Sequence, residues 1–132
     1  MANWDVEFTD EFGEWWDGLT GDEQESVTFG VDLLGKVGPG LDYPYSSSVY
    51  GSTYGGRMRE LRIQHEGRPY RVLYVFDPRR TAILLIGGDK TGKDRWYEEN
   101  VPVADRIYES HLATLKAEGL LPERDKGKSR KR

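Results

Sequence analysis

Residues 58–89 read MRELRIQHEGRPYRVLYVFDPRRTAILLIGGD, and this stretch decides the fold. Three runs rich in aliphatic and aromatic residues, Met58 to His65, Tyr70 to Asp77 and Thr81 to Gly87, are separated by HEGRP and DPRR, which can both turn a chain. The pattern predicts three strands in an antiparallel meander. In the middle run Tyr70, Val72, Tyr74 and Phe76 share one face, while Leu73 and Val75 share the other with Arg71. Apolar residues on both faces place this strand at the centre of a sheet covered on both sides. Arg71 then stands out, because a guanidinium inside such a strand is costly to bury without a partner or a ligand.

Working outward toward the N-terminus, Trp4, Val6 and Phe8 alternate with polar residues, the period of a half-buried strand. Thr9 caps a short helix carrying Phe12, Trp15 and Trp16 that stops near Gly18. Thr20 and Glu23 form a capping box ahead of Val27, Val31 and Leu34, and this second helix ends at Gly38, before Pro39. The two helices are expected to form a hairpin packed on the sheet. Residues 38–56, GPGLDYPYSSSVYGSTYGG, read as a long loop rather than a regular element. Loops beyond about 12 residues are uncommon in compact domains and are often functional. After GGDKTGKDR the chain turns helical, with a restart at Asn100 ahead of Val101 and Pro102, since proline fits a first turn. Ala104, Ile107, Tyr108, His111 and Leu115 recur at helical spacing up to a stop near Gly119 and Pro122. The expectation is one α/β (α+β) domain over residues 1–122 with a C-terminal helix, followed by a basic, flexible tail at 123–132.

Composition narrows the chemistry. The 132 residues are 36% hydrophobic and 12% aromatic, enough for a core, and contain no cysteine. That count removes disulfides, thiolate nucleophiles and Cys-ligated metal sites, and fits a reducing compartment. No apolar run reaches about 18 residues, and the acidic start lacks the basic and apolar regions of a signal peptide, so the reading is a soluble cytoplasmic protein without a membrane partner. His65 and His111 have no metal-ligand spacing and read as structural, at a strand end and on a helix face. Gly87 to Lys93 imitates a phosphate-binding loop, but Asp94 stands where a Ser or Thr is required. The formal charge of −4 hides a division: residues 1–56 carry −10, 57–95 carry +5, 96–125 carry −4 and 126–132 carry +5.

The basic middle segment holds Arg57, Arg59, Arg62, Arg68, Arg71, Lys90, Lys93 and Arg95 on the meander and the segment leaving it. Convergent guanidinium and ammonium groups make a phosphate site; scattered ones are solvated edge charges. Trp96 reads as core. Tyr97 fits either the core or a place beside the cations, where its ring stacks on a base or its phenol meets a phosphate.

Taken in order, Met58-Arg59-Glu60-Leu61-Arg62, Arg68-Pro69-Tyr70-Arg71-Val72, Phe76-Asp77-Pro78-Arg79-Arg80, Ile83 to Lys90 and Trp96-Tyr97 resemble a RelE/ParE-superfamily toxin. The likeness is greatest to the HigB-type branch, which is related to a phage-derived group, and it extends along almost the whole chain. It implies a RelE-like toxin of a type II toxin–antitoxin pair that cleaves messenger RNA in the ribosomal A site. No metal or other cofactor is implied, because the RNA 2′-hydroxyl attacks the adjacent phosphate. The family's Tyr-Arg pair falls on Tyr70 and Arg71, making Arg71 the catalytic arginine, and Lys93 and Tyr97 match its later basic residue and tyrosine. Arg57, Arg59, Arg62, Arg68, Lys90 and Arg95 are then the candidate RNA-binding set. Where RelE has lysines this chain has Met58 and Glu60. The implied partner is a cognate antitoxin, a helix-turn-helix protein of the HigA kind. The same scaffold also supports a ParE-like gyrase inhibitor or an inactive, antitoxin-binding member.

Overall fold

A computed structural model describes residues 3–121; the basic tail at 123–132 lies outside them. Five strands form one sheet in the order β1-β5-β4-β3-β2, from β1 (Val6–Phe8), β2 (Ser46–Ser48), β3 (Arg59–His65), β4 (Arg68–Phe76) and β5 (Ala82–Asp89). The meander β3-β4-β5 is antiparallel, as its sequence predicts, and β4 is central. The outermost pairing differs: β1 runs parallel to β5, with Val6 opposite Ala82. Two helices carry the chain from β1 across the sheet to β2 on the far edge, and the antiparallel strands then return it to β5 beside β1, which makes this pair parallel.

Helices α1 (Asp10–Asp17) and α2 (Gly21–Val37) begin at the expected caps. Thr9 accepts from the Phe12 N–H, and Thr20 and Glu23 exchange both bonds of a capping box. Against these helices pack Leu61, Ile63, Tyr70, Val72, Tyr74, Ala82 and Leu84, with Phe12, Val27 and Leu34 from the helices themselves. The opposite face packs Met58, Leu73, Val75, Ile83 and Leu85 against Trp96, Val101, Ala104 and Tyr108 of α3 (Trp96–Ala117). The alternation along β4 therefore divides two cores.

Two local expectations change. Residues 38–56 are not a bare loop: Ser46–Ser48 pairs antiparallel with β3, and 3-10 turns occupy Gly38–Gly40 and Gly55–Arg57. Three serines show no apolar alternation; what holds β2 is supplied from outside, by Tyr74 Oη at 2.6 Å from Ser46 Oγ and by Glu60 at 2.6 Å from Ser47 Oγ. Helix α3 does not restart at Asn100, because it runs unbroken from Trp96 with Pro102 inside it. Burial of Trp96, Val101, Ala104 and Tyr108 on one face outweighs the backbone bond that proline forfeits. In β5, Leu73 and Tyr74 face Ile86 and Leu84, so Leu85 is the extra residue of a bulge. The bulge sets which face the following glycines present.

Those glycines are packing residues. A Cβ on Gly87 would lie 2.3 Å from the Trp15 ring, and one on Gly88 would lie 2.6 Å from Trp96 Nε1. The sequence GGDK thus lets one tryptophan approach each face of the sheet. At the β4–β5 turn, buried Asp77 accepts from Arg79 Nη2 at 2.8 Å, from His111 at 2.9 Å and from the Arg79 and Thr81 N–H groups. His65 lies 2.8 Å from Ser26 Oγ. Both histidines serve structure.

Candidate active site

Side chains two residues apart on a strand share a face, so Glu60 and Arg62 of β3 lie on the same side of the sheet as Arg71, which is paired with Arg62 across the ladder. Helix α3 covers the apolar end of this side and brings Tyr97 in its first turn to the polar end. The four groups meet. Tyr97 Oη donates to Glu60 Oε1 at 2.6 Å, and Arg71 Nε stands 3.2 Å from Tyr97 Oη and 3.3 Å from Glu60 Oε1. The other carboxylate oxygen accepts from Arg62 Nη1 at 3.1 Å and Ser47 Oγ at 2.6 Å. Arg71 Nη1 also donates to the Tyr70 carbonyl at 3.0 Å. Lys90, leaving β5, places Nζ 5.7 Å from the centre of the Tyr97 ring.

Arg71 is only 5% exposed and Glu60 3%, so the expected cost of burying Arg71 is met by a buried carboxylate. Three cations against one carboxylate leave the centre with a formal charge of +2. Burial first, and then the hydrogen bond to Glu60, raise the Tyr97 pKa, so the phenol keeps its proton at neutral pH. The centre therefore offers cations, a proton donor and a carboxylate.

The remaining candidates are dispersed. Arg59 lies on the opposite face, bonded to Ser46 Oγ at 3.1 Å and the Leu41 carbonyl at 3.3 Å. Arg68 is also there, paired with Asp89 at 3.2 Å and Glu23 at 3.4 Å. Tyr70, the neighbour of Arg71 in sequence, is buried on that face with its hydroxyl on Glu23. Arg57 and Lys93 are exposed in turns, and Arg95 pairs with Glu98 at 3.1 Å. The fold thus gathers Arg62, Arg71, Lys90 and Tyr97. It adds Glu60 and Ser47, which sequence reasoning did not select. The signal for Glu60 was its position two residues before Arg62, on the face that register gives to Arg71. Ser47 had no signal. Among the described residues, no group of three or more His, Asp or Glu side chains is arranged to hold a metal, and no described helix is long and apolar enough to cross a membrane.

Residues 14–109, a span that includes every member of the Glu60 network, match the family model described as phage derived protein Gp49-like (DUF891). The chain is 46% identical over 101 residues to a Mycobacterium tuberculosis protein named "Putative toxin HigB3", a match covering 76% of this chain and 86% of that one. It is 38% identical over 116 residues to a second protein of that organism, named "Putative toxin HigB2", covering 86% of this chain but 56% of the relative's length. No solved structure matches. The sheet order, the position of the α3 helix and these similarities agree: the chain belongs to the Gp49-like phage-derived family, within the HigB-type branch of the RelE/ParE superfamily.

Proposed function

We propose that this protein is the toxin of a type II toxin–antitoxin pair and that it cleaves messenger RNA on the ribosome without a metal. The observation that carries this reading is the buried Glu60–Arg71 pair joined by half-buried Tyr97 and flanked by Arg62 and Lys90, a cationic centre with a proton acceptor and a proton donor. RNA brings its own nucleophile, so no Ser, Cys or metal-bound water is needed.

An RNA phosphate competes with Glu60 for the guanidinium groups of Arg62 and Arg71. As the arginines turn to phosphate oxygens, the Glu60 carboxylate is released to take the 2′-hydroxyl proton. The 2′-oxygen bonds to phosphorus, the bond to the 5′-oxygen breaks, and Tyr97 supplies the proton to that leaving oxygen. The products are a 2′,3′-cyclic phosphate and a 5′-hydroxyl. Arg71 stabilises the charge that develops on the phosphorane, and loss of one such donor typically slows reaction about 10²–10³-fold. Lys93, on the exposed turn beyond Lys90, is assigned to the RNA backbone rather than to the reaction. A helix-turn-helix antitoxin is the partner this reading requires, and the cytoplasm, where ribosomes work, is its site of action.

Expression in a permissive bacterium is expected to arrest translation and to leave new 5′ ends at A-site codons, with Arg71→Ala relieving both. Arrest of growth with transcripts intact would reject the nuclease and leave a gyrase-directed or other target.

A further inference from the structure

Tyrosines 43, 45 and 50 lie between α2 and β3, and they are 69%, 47% and 91% exposed. Three exposed aromatics within eight residues make this segment a candidate contact surface. This segment is held in place at several points. β2 pairs with β3, the Arg62 N–H donates to the Tyr45 carbonyl at 2.9 Å, and Asp105 of α3 accepts from Ser52 Oγ at 2.6 Å and the Thr53 N–H at 2.9 Å. The rings are therefore presented from a fixed scaffold.

One of them is joined to the reaction centre. The Arg62 guanidinium carbon lies 5.1 Å from the centre of the Tyr43 ring, and Arg62 Nη1 holds the Glu60 carboxylate that also holds Arg71. A cation against an aromatic ring, next to a phosphate-binding arginine, has the chemistry of a site for a single-stranded nucleotide: the ring takes the base and the cation faces its phosphate. A protein partner would also cover exposed tyrosines, but it gives no reason for Arg62 to be shared between the ring and the reacting centre.

We propose that Tyr43 and Arg62 form a nucleobase-stacking subsite that grips a nucleotide beside the scissile phosphate. The subsite rests on the nuclease reading above. Stacking is tolerant of base identity, so the subsite contributes grip and register along the strand more than base discrimination.

The test uses the full chain with messenger RNA on programmed ribosomes, comparing Tyr43→Ala, Tyr43→Trp and Arg71→Ala with the wild type. Tyr43→Ala is expected to lower kcat/KM about tenfold to a hundredfold, chiefly through KM, and Tyr43→Trp to keep it. Cleavage by Tyr43→Ala within twofold of wild type would overturn the subsite. If its binding to the antitoxin is weakened at the same time, the ring belongs to a protein interface instead. Should the wild type not cleave, the nuclease reading fails, and the subsite is judged by binding of a short single-stranded RNA against the same RNA with one abasic position. Weaker binding of the abasic strand by wild type, with no such difference for Tyr43→Ala, supports it; equal affinities, or no binding, overturn it.

Discussion

Glu60 receives hydrogen bonds from Tyr97, Arg62 and Ser47 and stands 3.3 Å from Arg71 Nε. Removing its charge by Glu60→Leu leaves Arg71 buried without its anion, and urea unfolding should show a loss of about 3–5 kcal/mol. Glu60→Gln keeps the shape and much of the bonding but cannot take a proton, so it is expected to stay folded while cleavage falls about 10²–10⁴-fold. Cleavage by Glu60→Gln close to wild type would reduce Glu60 to a positioning residue. Gly88→Ala places its Cβ against Trp96 Nε1 and should cost about 1–3 kcal/mol by the overpacking it causes, measured in the same unfolding experiment. At this scale Arg71 was legible, because a charge in an apolar strand is conspicuous in any register. Glu60 was not, since it becomes a neighbour of Arg71 only when β3 and β4 are aligned. Lys90 and Lys93 are three residues apart in one turn, and only folding distinguishes the one that lies over Tyr97.

Elements are joined by shared carboxylates. Glu23 caps α2 through its bond from the Thr20 N–H and also accepts from the Tyr70 hydroxyl of β4, so the start of the helix is fastened to the central strand. The Tyr70 hydrogen bond is the largest influence lowering the Glu23 pKa from 4.5 to about 2. A folded-state pKa below the unfolded one gives stability that is complete above the unfolded value and lost as pH falls through the folded value. The difference in stability between wild type and Tyr70→Phe should therefore shrink as pH drops from about 4.5 toward 2, in chemical unfolding followed at several pH values. Burial first, and then Glu23, push the Tyr70 pKa up to about 12, so the phenol remains a donor through this range. A difference that is constant down to pH 2 would contradict the clamp. The helices, their caps and the meander were legible because each rests on local periodicity or capping chemistry. Strand β2 was hidden because its stabilising groups, Tyr74 and Glu60, lie on other strands, and the unbroken α3 because tertiary burial outweighs the local preference of Pro102.

Across the whole molecule, a negative total coexists with a cationic centre because the fold sorts the basic segment between two faces. Arg59 and Arg68 spend their charge on Asp42, Glu23 and Asp89 on the α1–α2 side, while Arg62, Arg71 and Lys90 meet on the other side. Contacts to two or three phosphates predict that binding of single-stranded RNA weakens with salt at a logarithmic slope of about −1.4 to −2.1. A salt titration should give the same slope for Arg68→Ala and a shallower one for Arg62→Ala. The charge sum of residues 57–95 located the cationic region, but it could not divide that region between faces, which depends on strand register.

Cleavage of messenger RNA on the ribosome by a centre built on Arg71, held by Glu60 and Tyr97, is proposed above and can be read from the RNA itself. Purified ribosomes carrying a defined messenger RNA and an empty A site are given wild-type protein or Arg71→Ala, the variant first shown by circular dichroism to be folded at the assay temperature, and the RNA is then resolved. A discrete A-site cut, ending in a 2′,3′-cyclic phosphate, is expected with the wild type and should slow about 10²–10³-fold in Arg71→Ala. Intact RNA with the wild type, or equal cutting by the two proteins, would contradict it.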